Sequence, residues 1–340
     1  MKAFSGNSAD VAWRRAARTL IDRRGTSEIG SRAGATIELT HATIEVSDPR
    51  ARWVASRTPA INVAFAIAEV VQILSGTDDV AFLAHWFPRY GRYVGGGKRA
   101  TGAYGARLRE RFGCDQLERA AKALNANCET RQIVLSIWNV ADDLPWSTGT
   151  PRSADIPCNV LSCLRVVDGR LHWLQTCRSN DLFRGLPHNL VQFTYLQEVM
   201  AGWIGVDLGA YTHVVSSLHA YEPALREFAV TRATPVMPQS TDIRLPVREA
   251  RAAWREIDRL ARELIARPKK QTARMTAKRV ATGLGPLENL FWILTAEDAR
   301  RRGWHEESKS AVEACTDLAL RFMWKRWLRR VSSMGIEAPR

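Results

Sequence analysis

The sequence predicts an α+β fold with a helical C-terminal region, on three observations. Short segments between residues 35 and 218 alternate β-branched and polar residues, the period of half-buried strands. Longer apolar stretches of helical length lie between them. After Pro246 the strand texture stops, and apolar residues recur every three or four positions among arginines. A chain of 340 residues can bury a sizeable core in one large or two smaller domains, and 46% hydrophobic content is ordinary for a globular protein.

The first 30 residues read as a helix over 11–23 followed by a Gly/Ser loop. T-I-E-L-T-H-A-T-I-E-V, within 35–46, is a strand. Residues 61–74 read as a buried helix closed by Ser75-Gly76, its apolar run broken by Asn62 and Glu69. The glycine-rich stretch 91–105 lacks the Gly-Lys-Ser/Thr of a phosphate-binding loop and reads as a plain loop. Residues 132–140, 160–167, 171–176 and 212–218 are strand-like, with a hairpin turn at Asp168-Gly169. Residues 190–203 form a helix that is apolar on most sides and therefore buried. Trp254, Ile257, Ala261 and Leu264 repeat at helical spacing, as do Leu320, Trp324, Trp327 and Val331. The expected organisation is an N-terminal helix and loop over 1–30, a catalytic domain over 31–245 and a basic helical region over 246–340.

The net charge of +14 favours anionic partners. Residues 247–340 hold 21 Lys and Arg against 12 Asp and Glu, so +9 of the excess lies there. A solvated helical surface accounts for this, and no recognition motif accompanies it to support a nucleic-acid role. Six dispersed cysteines without a CxxC pair predict neither a disulfide framework nor a zinc or other metal site. No apolar run reaches the ~18 residues of a membrane span, and residues 1–24 lack the apolar segment of a secretory signal. The expected compartment is a reducing cytoplasm.

One constellation carries chemistry. Cys158 lies in D-I-P-C-N; R-S-N-D-L-F-R-G-L-P-H-N follows over 178–189, its G-L-P-H-N reading as a turn, then H-A-Y over 219–221, with R-Q-I-V-L-S-I-W-N-V upstream over 131–140. Together these resemble thymidylate synthase and its relatives the pyrimidine nucleotide hydroxymethylases. The resemblance is carried by 131–225, weakens back to residue 32 and is absent after about residue 246. It implies a twisted mixed sheet with packed helices, in a homodimer with shared active sites. The implied reaction is transfer of a methyl or hydroxymethyl group to carbon 5 of a uracil nucleoside monophosphate (dUMP or UMP), with 5,10-methylenetetrahydrofolate as carbon donor.

A pyrimidine carbon 5 is a poor nucleophile until a thiolate adds at carbon 6, so the reaction needs an activated cysteine, here Cys158. A thiolate near neutral pH calls for a neighbouring cation, and the resemblance puts Arg178 there, also gripping phosphate with Ser179. It adds Arg32, and Arg131 reaching across from the second subunit; Gln132 stands where relatives often have a second arginine. Asn189 is implied as the reader of the base, its amide matching the ring N–H and carbonyl of uracil. His219 and Tyr221 are implied at the sugar hydroxyl, Glu69 as the proton-managing carboxylate, Tyr104 near the carbon-5 proton, and Asp181 and Trp86 at the folate.

Several positions depart from the family pattern. Asn159 follows the nucleophile where His is common, so the water network at carbon 4 must differ. His188 replaces an aromatic or apolar residue and alters how the base is held. The C-terminus, S-S-M-G-I-E-A-P-R, lacks the family's closing tail, which favours capture by water and a hydroxymethyl product. Alternatives are a nucleotide-binding relative without turnover, a cytosine nucleotide hydroxymethylase, a nucleic-acid protein working through its basic end, and a Cys158/His219 acyl hydrolase. The last has no visible oxyanion motif.

Overall fold

The computed structural model describes residues 1–31, 34–268 and 284–333. Among them a seven-stranded mixed sheet runs in the order β1 (Lys2–Gly6), β3 (Gly34–Val46), β8 (Asp207–Tyr221), β7 (Arg170–Asp181), β6 (Asn159–Val167), β5 (Val134–Ser136), with β2 (Ser27–Ser31) also paired to β3. A two-stranded ladder, β4 (Arg57–Thr58) with β9 (Ala229–Val230), stands apart.

The predicted strand alternation is present. In β3 Ile37, Leu39, Ile44 and Val46 are buried, and in β8 Tyr211, His213, Val215, Leu218 and Ala220 are buried. Asp168 and Gly169 both take positive φ, 49° and 69°, the conformation of a tight two-residue hairpin between β6 and β7. Strands β7 and β8 are parallel, so the chain must cross the sheet between them. It does so through α5 (Gly185–Ile204), which follows α1 (Ala9–Ile21), α2 (Val63–Ser75), α3 (Val80–Trp86) and α4 (Gln116–Ala126) along the chain. Helix α2 ends at Gly76 in the left-handed conformation, φ 76°, which glycine adopts without steric cost.

Past Pro246 come α6 (Val247–Ala266), α7 (Glu288–Arg301), α8 (His305–Ala314) and α9 (Leu318–Ser333). Helices α6, α7 and α9 contact α2, and Trp254, Ile257, Leu320 and Trp324 join the same core as the sheet residues. Arg255, Arg259 and Arg329 lie exposed between them, as the spacing predicts, whereas Arg330 is half-buried and donates to Ala60 O at 2.6 Å.

Four expectations are corrected. Residues 2–6 form an edge strand parallel to β3, and 27–31 form a strand where a loop is expected. Both are ladder extensions of β3; β2 is exposed throughout and has no apolar face to announce it. The expected strand over 132–140 shortens to Val134–Ser136, with a helical turn at Val140–Asp143 capped by Asn139. G-L-P-H-N is the opening of α5 rather than a turn, since Pro187 sits in the first turn, where its missing N–H costs nothing. The terminal stretch beyond Ser333 and Arg32 lie outside the described residues.

Candidate active site

The sheet register assembles the site. Asn159 at the start of β6 is opposite Cys177 of β7, and Asp181 at the end of β7 is opposite His219 of β8. The loop carrying Cys158 therefore meets the ends of two parallel strands that present Arg178, Ser179, Asp181, His219 and Tyr221. The first turn of α5 follows at once with His188 and Asn189, and α2 packs on α5 and brings Glu69. An irregularity in β6 between Asn159 and Leu161 breaks the ladder beside the cysteine.

Arg178 secures the cysteine loop. Its backbone N–H donates to Cys158 O at 2.9 Å, Nε donates to Pro157 O at 3.0 Å and Nη2 donates to Ile156 O at 3.2 Å. The guanidinium also lies 5.6 Å from the Trp138 ring centroid. On the far side, Asp155 Oδ2 accepts the Gly102 N–H at 2.7 Å. A Cβ on Gly102 would stand 2.7 Å from Asp155 Oδ1, so glycine allows this approach. Burial pushes the Cys158 thiol up, Arg178 pulls it down, and Asp155 and Asp181 add to the rise. Arg178 is thus the one cation among these influences, and it opposes a larger desolvation cost.

Two buried polar chains hold the two asparagines. Ser162 Oγ and Trp173 Nε1 donate to Gln175 Oε1 at 2.6 and 3.3 Å, and Gln175 Nε2 donates to Asn159 Oδ1 at 3.1 Å. Asn159 is fully buried, and apart from the Tyr104 hydroxyl its Nδ2 has no hydrogen-bond partner among the described residues. In the second chain Asn180 Nδ2 donates to His213 Nε2 at 2.9 Å and to Asn189 Oδ1 at 3.1 Å, and Asn189 Nδ2 donates to Gln192 Oε1 at 2.8 Å. His213 Nδ1 completes it with Tyr211 Oη at 2.9 Å. Burial pushes His213 down to about 3, so it is neutral, with Nδ1–H donated and Nε2 accepting. Each atom of the Asn189 amide keeps one unused position, an acceptor and a donor side by side.

Glu69 is partnered by His188, whose Nδ1 stands 2.7 Å from Glu69 Oε2. Tyr104 lies beside Phe193, centroids 5.9 Å apart; burial and then Cys158 hold its hydroxyl well above the ordinary range, so it is a neutral phenol. Ser179 Oγ and His219 Nδ1 are 3.5 Å apart, and His219 and Tyr221 meet edge to face at 5.3 Å. Asp181 Oδ1 accepts the N–H groups of Phe183 and Arg184 at 2.8 and 2.9 Å, which turns the chain into α5. Its Oδ2 stands 4.0 Å from Arg184 Nη1, at 13% side-chain exposure, and retains capacity to accept from a ring N–H.

Two predicted residues are not brought into this group. Trp86 is fully buried in the core, edge to face with His85. Arg131 is exposed ahead of β5. Two surface clefts, of about 460 Å³ beside Asp78 and Arg99 and about 500 Å³ beside Asp207 and Arg244, contain none of the site residues. The reading of the sequence missed Gln175, His213, Asn180 and the Glu69–His188 pairing. Gln175 and His213 had a signal: each is a polar residue at an inward position of a strand whose other inward residues are largely apolar.

A family model described as Thymidylate synthase matches residues 18–298. The match runs past the motif-bearing stretch into α6 and α7. A protein of Pseudomonas phage M6 named Deoxyuridylate hydroxymethyltransferase is 38% identical over 170 residues, 49% of this chain and 47% of its own. A protein of the same name from Bacillus phage SP01 is 34% identical over 196 residues, 54% of this chain and 50% of its own. The chain spans about half the length of these curated relatives. No helix among the described residues is long and apolar enough to cross a membrane.

Proposed function

We propose, from the premise that this chain belongs to the thymidylate synthase family, that it transfers a one-carbon unit to carbon 5 of dUMP and releases the hydroxymethyl nucleotide. The observation that carries this reading is the convergence of Cys158, Arg178 and a buried Asn189 whose free acceptor and donor match the ring N–H and carbonyl of uracil. The names of the two phage relatives support deoxyuridylate as substrate and hydroxymethyl as product.

Cys158 adds to carbon 6 as thiolate, and the electron pair moves to carbon 5 and the carbon-4 oxygen. A phosphate beside Arg178 and Ser179 orients the ring over the sulfur; Arg178 keeps free N–H donors for it after bonding the loop carbonyls. Arg32 and the partner subunit's Arg131 would complete the phosphate site in a homodimer. His219 and Tyr221 take the sugar hydroxyl, Glu69 handles protons near carbon 5, and the neutral Tyr104 phenol lies beside carbon 5 as a hydrogen-bond donor. Methylenetetrahydrofolate supplies the carbon at the oxidation level of formaldehyde. Asp181 would hold its pterin, having one carboxylate oxygen not committed to a backbone N–H.

The test is to offer dUMP, UMP, dCMP and CMP with methylenetetrahydrofolate and follow tritium release from carbon 5. Release from dUMP above the other three supports the reading; a preference for dCMP or CMP contradicts the role of Asn189.

A further inference from the structure

We propose that His188 is the base that takes the proton of the water captured by the one-carbon unit, with Glu69 setting its tautomer. This rests on the functional reading above and assigns a residue to its last step.

The geometry is that of an imidazole oriented by a carboxylate. His188 Nδ1 is 2.7 Å from Glu69 Oε2, a separation that requires a proton between them. The carboxylate accepts that proton, which leaves Nε2 as the basic nitrogen, and Nε2 makes no hydrogen bond to a described residue. The two side chains come from different elements, α2 and α5, and are 16% and 15% exposed, so the pair is open on one side rather than sealed in the core. Phe65 packs edge to face on the imidazole at 5.2 Å and restrains the ring. His188 immediately precedes Asn189, so the base stands one residue from the amide proposed to read the pyrimidine.

The neighbouring titratable groups leave His188 as the available base. Tyr90, from the turn Tyr90–Tyr93, and Tyr104 both face Glu69, and burial pushes both hydroxyls up, so neither is a base near neutral pH. Asp155 bears on Tyr90 and is tied to the Gly102 N–H, and Cys158 bears on Tyr104 and is bonded to carbon 6 during the step.

In the adduct the exocyclic carbon is doubly bonded to carbon 5. Water oxygen bonds to that carbon, the double-bond pair moves toward carbon 4 and its oxygen, and the water proton goes to Nε2. Return of the pair re-forms the carbon-4 carbonyl and the 5,6 double bond and expels the Cys158 thiolate. Nothing is oxidised or reduced.

His188→Phe keeps an aromatic ring against Phe65 but cannot take a proton; His188→Ala leaves space for a small base. The expected results with dUMP and methylenetetrahydrofolate are loss of hydroxymethyl formation by about 10²-fold in both variants, the scale of general base catalysis. The pH–rate profile of the wild type should change in His188→Phe. Added imidazole should restore rate to His188→Ala and leave His188→Phe unchanged. Full rate and an unchanged pH profile in His188→Phe overturn the proposal, as does a His188→Ala protein, folded by its thermal transition, that imidazole does not rescue. A wild-type enzyme that makes only the methyl nucleotide also overturns it, because no water is then captured. Absence of any tritium release from the wild type is the separate result that removes the functional reading itself.

Discussion

Replacing Asn189 by aspartate changes one atom of the site and should change the preferred base. In the wild type Oδ1 accepts from Asn180 and Nδ2 donates to Gln192, each amide atom keeping one position for the pyrimidine. The carboxylate retains the bond from Asn180. Gln192 makes no other side-chain hydrogen bond among the described residues, so its amide can turn and donate instead. The loss therefore falls on the base: a donor facing the uracil carbonyl becomes an acceptor facing an acceptor. An unmatched buried polar group costs about 1–3 kcal/mol. At ~1.4 kcal/mol per decade this lowers kcat/KM for dUMP about 5- to 150-fold. The amino group of cytosine gains an acceptor of similar worth, so the dUMP:dCMP ratio should swing by about 10²-fold or more. Competition between the two labelled nucleotides, read as product ratio, measures this directly. A folded Asn189→Asp enzyme with an unchanged ratio would refute the argument.

Four further outcomes are expected. Cys158→Ala should abolish carbon-5 chemistry while dUMP still binds, measured by calorimetry beside tritium release; turnover in this variant would sink the mechanism. Alkylation of Cys158, mapped by peptide mass, should rise with pH around a midpoint above an ordinary thiol, because burial favours the neutral form and only the thiolate reacts. Arg178→Gln should move that midpoint further up by removing the cation that opposes burial, and a downward move would contradict the assignment. Mixed dimers of inactive Cys158→Ala and inactive Arg131→Ala should recover activity, since one of their two sites receives both intact residues; no recovery after verified subunit exchange would refute a shared site.

Much of the fold was legible because its signals are local. β3, β7 and β8 each bury one face, so their alternation is written in the chain, and α6 declares itself by apolar spacing among arginines. β1 and β2 were not legible: one is five residues long with a parallel partner some forty residues away, the other is wholly exposed. The site divides the same way. Cys158, Arg178, Asp181 and Asn189 sit in two short motifs that a hairpin and a crossover bring together. The Glu69–His188 contact joins positions 119 apart in the chain, and the Tyr211–His213–Asn180–Asn189 chain joins two strands and a helix. Such pairings depend on how α2, α5 and the sheet pack, which no local pattern encodes. Trp86 shows the opposite case, a residue whose motif-level placement meets a fully buried core position.

In the proposed reaction Cys158 activates carbon 5 of dUMP and water then captures the transferred carbon. The most direct measurement is the joint stoichiometry of nucleotide and folate products from a single reaction, by mass for the nucleotide and absorbance for the folate. The expected products are 5-hydroxymethyl-dUMP and tetrahydrofolate in equal amounts, and neither with Cys158→Ala. Methylated nucleotide matched one-to-one by dihydrofolate would contradict it, because the carbon would then have been reduced by the folate rather than captured by water.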